Sequence, residues 1–207
     1  MQAARGASLT GDQDVTPPSR PRGTRSRLLL VFGLVAATAY AVDVVSKIVA
    51  VDRLTDRPDV EIIGDFLVLH LVRNPGAAFS TGTAYTEVFT VLAIVAVVAI
   101  LWFVRKVGSA VWAVALGLLL AGVGGNLTDR LVREPGVLRG HVIDFFMLPN
   151  WPVFNVADIC INVAAGLILI QVVRGVHLDG SRLADERQDA QDEQGADPAA
   201  SSPGESA

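Results

Sequence analysis

Cysteine is nearly absent from this chain. Cys160 is the single one in 207 residues, which excludes a disulfide framework and a cysteine-built zinc cluster. Histidine is scarce too: His70, His141 and His177 lack metal-ligand spacing, so no metal site and no metal cofactor is expected. There is no H-E-x-x-H pair and no G-x-S-x-G elbow. Ser46 has Lys47 beside it in sequence rather than across a site, and Ser80 has no evident histidine partner, which disfavours serine catalysis. The net charge of −4 comes with no basic stripe, so nucleic acid is not an expected partner. No internal repeat is evident.

Apolar residues are abundant instead. They make up 51% of the chain, and the mean hydropathy is +0.46 despite two strongly polar ends. The apolar content must therefore be concentrated between them, which is the pattern of a membrane protein. Residues 1–27 hold Gly, Ser, Thr, Pro and the arginines Arg5, Arg20, Arg22, Arg25 and Arg27, and predict a disordered tail. Residues 175–207 predict a second one, with eight acidic residues from Asp179 onward among Ala, Ser, Gln and Gly. A four-span domain is expected over 28–174.

The apolar stretches run over roughly 28–51, 88–104, 110–127 and 153–173, each near the length that crosses a bilayer. Four spans put both termini on one side. With the termini cytoplasmic, the inner segments carry Arg5, Arg20, Arg22, Arg25, Arg27, Arg105, Lys106, Arg174, Arg182 and Arg187, against Arg53, Arg57, Arg73, Arg130, Arg133 and Arg139 outside. That bias, with the tight Arg105-Lys106 turn, predicts cytoplasmic termini. Ala39-Tyr40-Ala41 has the form of a signal-peptide cleavage site, but the apolar run continues through Val42, Val44, Val45, Ile48 and Val49, which suits a retained span. The first outer loop, about 52–87, contains the partly alternating run Val60 to Val72 and predicts strands at the membrane surface.

Ionisable groups inside a span cost roughly several kcal/mol unless paired or wetted, so each is a functional candidate. Asp43 and Lys47 are four apart and share a helical face, where they can pair. The third span ends Gly122-Val123-Gly124-Gly125-Asn126-Leu127-Thr128-Asp129-Arg130; a continuing helix puts Asn126, Asp129 and Arg130 on one face, while the glycines permit close helix approach. The alternative is that Asp129-Arg130 simply marks the water interface. Asp144 sits between His141-Val142-Ile143 and Phe145-Phe146, an acid flanked by bulky apolar residues. Asp158 falls one turn or more inside the fourth apolar stretch, with Asn155 three residues before it on the same face. If Asp144 and Asp158 meet, like charges favour one shared proton; the ionised member can activate water while the protonated one polarises a carbonyl.

Taken together, five blocks resemble lipoprotein signal peptidase (signal peptidase II), an intramembrane aspartyl protease of bacteria, over roughly 28–174. They are Asp43-Val44-Val45-Ser46-Lys47, Arg73-Asn74-Pro75-Gly76-Ala77-Ala78-Phe79-Ser80, Gly125-Asn126-Leu127-Thr128-Asp129-Arg130, His141-Val142-Ile143-Asp144-Phe145 and Phe154-Asn155-Val156-Ala157-Asp158. Pro75 stands where the family more often has Thr. The resemblance implies an all-α membrane fold of four transmembrane helices with a small β-rich extracytoplasmic cradle in the first outer loop. It implies removal of the signal peptide from diacylglyceryl-modified prolipoproteins, before the lipidated cysteine, without a cofactor. The chain itself carries no lipobox.

Carried over by motif, Asp144 and Asp158 would be catalytic, and Asn74, Asn126, Arg130 and Asn155 would bind substrate or orient the acids. Asp43, Lys47 and Asp129 would be structural support, with Asp129 a rival for the catalytic role. The resemblance further implies a monomer in the bacterial cytoplasmic (inner) membrane, with membrane lipids around it, its site near the outer face, and the cyclic peptide globomycin as an inhibitor. Two other readings stay open: a small transporter using Asp43, Asp129 and Asp158 as carriers, and a structural subunit of a larger complex.

Overall fold

The computed structural model describes residues 22–76 and 86–183. Most of both expected tails, and Ala77, Ala78, Phe79 and Ser80 of the Arg73 block, lie outside the described residues. In order come helix α1 (Arg22–Leu54), strands β1 (Val60–Ile63) and β2 (Leu67–Asn74), helix α2 (Thr86–Phe103) ending in a 3-10 turn (Val104–Lys106), helix α3 (Ala110–Val132), strand β3 (Val142–Met147) and helix α4 (Val156–Val173).

The apolar runs become helices because in lipid every backbone N–H and C=O must be satisfied within the segment. All four helices are long and apolar enough to cross a membrane. Their outward faces confirm the solvent they are built for: Leu34, Val45 and Ile48 of α1, Leu92, Val95 and Val98 of α2, and Leu169 and Val172 of α4 are exposed. Inside, small residues dominate. Ala113, Ala115, Ala157 and Ala164 are wholly buried, letting α3, the central helix, pack on α1, α2 and α4.

Two glycines show how closely. A Cβ on Gly122 would stand 2.5 Å from the Ala157 carbonyl oxygen of α4, and one on Gly125 would overlap the Asp43 carboxylate of α1. The glycine-rich end of α3 is thus the point where three helices converge.

The sheet closes one end of this bundle. It is antiparallel, in the order β1-β2-β3. Only two of its strands come from the first long loop; the third, which carries Asp144, comes from the α3–α4 connection. Ile143 and Phe145 on β3 turn into a core with Ala50 and Leu54 of α1, so Asp144, by the two-residue period of a strand, faces the opposite way.

Three boundaries differ from expectation. α1 begins at Arg22, ahead of Leu28, because arginine is a good helix former and Arg25 donates from Nη2 to the Arg105 carbonyl at 2.8 Å. The fourth helix begins at Val156, not 153, because Phe154 pairs its backbone with Phe146. Residues 175–183 are not a loose tail: Gly108 N donates to Leu178 O at 2.9 Å, Trp112 Nε1 donates to Val176 O at 3.2 Å, and Leu178 packs on the core of Phe32, Ile100, Val104 and Leu116.

Candidate active site

The site grows from the start of α4. The first N–H groups of a helix lack partners within it, and here those of Asn155, Ala157 and Asp158 find them in side chains. Asn155, the N-cap, accepts from Asp158 N through Oδ1 at 3.0 Å, and Asp158 Oδ2 accepts from Asn155 N at 3.1 Å. Ala157 N donates across to Asp43 Oδ1 of α1 at 2.8 Å. Asp158 is therefore in the first turn of α4 rather than a turn inside it, where the positive end of the helix favours a carboxylate. It is half-buried, whereas Asp144 is only 2% exposed.

Strand register delivers the second acid. Val72 is opposite Asp144 and Asn74 opposite Val142, so Asn74 and Asp144 are diagonal neighbours on one face. Asn74 Nδ2 donates to Asp144 Oδ2 at 2.9 Å, and Asn155 Nδ2 donates to Asp144 Oδ1 at 2.6 Å. Asn126 Nδ2 donates to Asp158 Oδ1 at 2.9 Å.

All three carboxamides face the acids with their NH2 groups for the same reason: each oxygen is held by a group that can only donate. Gly76 N binds Asn74 Oδ1 at 3.0 Å, Asp158 N binds Asn155 Oδ1, and Lys47 Nζ binds Asn126 Oδ1 at 2.9 Å. Burial pushes the Asp144 carboxyl up to about 6; the Asn74 hydrogen bond pulls it down, the Asp158 charge pushes it up, and Asn155 and Lys47 pull it down.

The structure separates Asp129 from this pair. Its Oδ2 takes Lys47 Nζ at 2.9 Å and Ile143 N at 3.2 Å, and its Oδ1 takes Arg133 Nε. It is 3% exposed and braces β3 against α3. Lys47, 1% exposed, also meets Asp43 Oδ2 at 2.8 Å. Asp43, Lys47 and Asp129 thus form a buried ion cluster behind the acids. Asp129 and Arg130 lie in the last turn of α3, which ends at Val132, but Asp129 there is buried in the ion cluster rather than turned to water.

A cavity of about 860 Å³ opens in front of them. Asp144, Asp158, Asn74, Asn126 and Arg130 all line it, and Asp43, Lys47 and Asp129 do not. Arg130 Nη1 is anchored on Asn126 O at 3.2 Å, while its buried Nε has no hydrogen-bond partner among the described residues. Asn155 is wholly buried beneath the floor.

Sequence reasoning missed part of the wall, namely Asn150, Trp151, Ile161 and Asn162. Asn162 was findable, four residues after Asp158 and so on its helical face; Nδ2 donates to Asp158 O at 2.8 Å. Asn150 and Trp151 sit in an irregular loop and offered no such signal.

Four spans closed by a sheet over a cleft of carboxylates, carboxamides and one guanidinium define a polytopic membrane enzyme. Comparison with known proteins narrows the class. Residues 35–174 match the family described as Signal peptidase (SPase) II. A lipoprotein signal peptidase from Leifsonia xyli is 41% identical over 82% of this chain and 78% of its own length, and one from Mycobacterium avium is 48% identical over 79% and 87%. A solved bacterial membrane enzyme is similar in fold, with a TM-score of 0.60 and 28% identity over 68% of this chain and 91% of that one. The chain belongs to the signal peptidase II family, and it is accordingly a multi-pass membrane protease of bacterial lipoprotein maturation.

Proposed function

We propose that this protein is an intramembrane aspartyl endopeptidase that cleaves diacylglyceryl-modified prolipoproteins before the lipidated cysteine, with Asp144 and Asp158 as its catalytic pair. The observation that carries the proposal is that, among the described residues, these two are the carboxylates that line the cleft, tied to one another through Asn155.

The more accessible Asp158, held by Asn126 and the α4 cap, acts as general base and takes a proton from water, whose oxygen attacks the scissile carbonyl carbon. Asp144, in the drier position, carries the shared proton and gives it to the carbonyl oxygen. As the resulting diol collapses, one of its hydroxyls returns its proton to Asp144, the C–N bond breaks, and the proton held by Asp158 goes to the leaving amine. Asn74, Asn126 and Arg130 orient the acids and the substrate backbone, and Asp43, Lys47 and Asp129 keep the helices in register. The partners are the prolipoprotein and surrounding lipid, and the enzyme works as a monomer.

The arginine distribution supports cytoplasmic termini in the bacterial inner membrane, with the cleft near the outer face. A substrate already confined to the bilayer would then reach the cleft with part of its translational freedom removed. On this reading residues 28–174 are the peptidase domain, and the sequences before and after it are cytoplasmic extensions.

The deciding experiment is cleavage of a diacylglyceryl-modified prolipoprotein in detergent by wild type, Asp144→Asn, Asp158→Asn and Asp129→Asn, each confirmed folded. Loss of cleavage in the first two variants with residual activity in Asp129→Asn is expected. A dead Asp129→Asn beside an active Asp144→Asn would transfer the role to Asp129. In a Cys160→Ala background, a membrane-impermeant maleimide should label Val137→Cys in intact cells and Lys106→Cys only after permeabilisation; the reverse pattern would invert the orientation.

A further inference from the structure

One charged side chain touches the site without lining it. Lys47 projects from α1, and its three ammonium protons have three acceptors: Asp43 Oδ2 at 2.8 Å, Asp129 Oδ2 at 2.9 Å and Asn126 Oδ1 at 2.9 Å. Neutralising Asp43 and Asp129 is a structural task, and the first two contacts accomplish it. The third contact does something else.

A carboxamide presents an oxygen on one side and an NH2 on the other, and either end can face a carboxylate's surroundings unless something selects. An ammonium has no acceptor lone pair. Lys47 therefore admits only the oxygen of Asn126, and the NH2 must point the opposite way, to Asp158 Oδ1 at 2.9 Å. Asn155 Nδ2 at 3.1 Å from the same oxygen reinforces that orientation, but it also donates to Asp144 at the shorter distance of 2.6 Å.

We propose that Lys47 is a positioning residue of the reaction: by holding the Asn126 oxygen, it obliges Asn126 to donate to Asp158 and so keeps that carboxylate aimed into the cleft. The proposal rests on the dyad reading above. The charged groups around Asp158 are Lys47 and Asp43 from α1, Asp129 and Arg130 from α3, and Asp144 from β3. Lys47 reaches the acid through one carboxamide, Asn126, which can present either end. Without it, Asn126 can turn its oxygen toward Asp158, replacing a donated hydrogen bond by a repulsion.

The test is a double-mutant cycle on the full chain in detergent, with kcat and KM for prolipoprotein cleavage and thermal unfolding measured for Lys47→Met, Asn126→Leu and the pair. Loss of a hydrogen bond to a charged group corresponds to roughly 10- to 100-fold in rate. That loss is expected in kcat for each single variant, with KM changed less than about threefold. In the Asn126→Leu background, Lys47→Met should cost less than about twofold more, because the group it acts through is gone. An equal further loss of kcat there would overturn the proposal, since a purely structural lysine acts independently of Asn126.

If Lys47→Met does not fold, Lys47→Gln replaces it: glutamine returns amide partners to Asp43 and Asp129 but no longer selects one end of Asn126, and the same non-additivity is required. Asn126→Asp keeps an acceptor for Lys47 while setting a carboxylate oxygen against Asp158. It should stay folded and lose at least tenfold in kcat with KM changed less than about threefold; a wild-type kcat would overturn the proposal. Wild-type cleavage by Asp158→Asn would instead defeat the dyad assignment itself, so the two failures are distinguishable.

Discussion

Asn155 and Asp158 hold each other in a reciprocal pair at the start of α4, each side chain accepting the other's backbone N–H, at 3.0 and 3.1 Å. The arrangement is a capping box with aspartate in the third helical position. It makes the proposed base a part of the helix's own termination, so its orientation is set by backbone geometry before any substrate arrives. The second half of Asn155, its NH2, reaches Asp144. One buried carboxamide therefore spaces the two acids.

Because the cap and the chemistry share Asp158, they should separate by substitution. Asp158→Asn retains an oxygen for Asn155 N and should lose cleavage while unfolding within a few degrees of wild type. Asp158→Ala should be equally inactive and less stable by about 0.5–2 kcal/mol, the usual value of a lost cap interaction. Thermal unfolding in detergent beside the cleavage assay checks both.

Gly125→Ala should be among the most damaging small substitutions in the protein, since its methyl would overlap the Asp43 carboxylate and disturb the Ala157 N contact to Asp43 that anchors α4. Overpacking of this kind costs about 1–3 kcal/mol. Gly33→Ala, where a Cβ meets nothing within 4 Å, should leave stability unchanged or raised. Comparing the two melting curves distinguishes steric conflict from loss of glycine flexibility.

The Asp144 carboxyl lies at about 6, raised chiefly by burial. If Asp144 must hold the shared proton, kcat/KM should fall as pH rises through that region. Asn74 pulls the value down by donating to the carboxylate, so Asn74→Ala should move this basic limb to higher pH while lowering kcat. The corresponding stability change has the sign of a raised acid: the protonated group favours the folded state below its unfolded value near 3.9, and that contribution disappears as pH rises through about 6. Unfolding midpoints should decline between about pH 4 and 6 and level off above that in wild type, and show no such decline in Asp144→Asn.

Truncation should show a sharp boundary. A chain ending at Leu183 keeps the contacts of Gly108 and Trp112 to residues 176–178, and the Leu183 N to Gly175 O hydrogen bond of 3.1 Å, and should cleave normally. A chain ending at Arg174 loses them, uncovers the core beneath Leu178 and should unfold at lower temperature. Equal stability of the two would remove any structural role for the terminal turn.

Span number, and the residues that required explanation, were legible in the sequence because the cost of polar groups in lipid is large and local. Four apolar runs predicted four helices, with ends that shift by up to about six residues, and Asp43, Lys47, Asn126, Asp129, Asp144, Asn155 and Asp158 stood out as groups that lipid would not tolerate unpaired. The Asp43–Lys47 pair was likewise visible, since a spacing of four is a property of one helix.

Which of these groups meet was a matter of tertiary structure. Lys47 to Asp129, Ala157 N to Asp43 and Asn155 to Asp144 join different elements, and no periodicity in one segment reports the crossing of another. The same holds for β3 joining a sheet begun far earlier in the chain, which carries Asp144 to Asn74. Asp129 and Asp144 look alike in sequence, each an acid beside a span. The fold alone distinguishes them, by surrounding Asp129 with Lys47, Arg133 and a backbone N–H and by turning Asp144 toward the cavity with only neutral carboxamides to hold it.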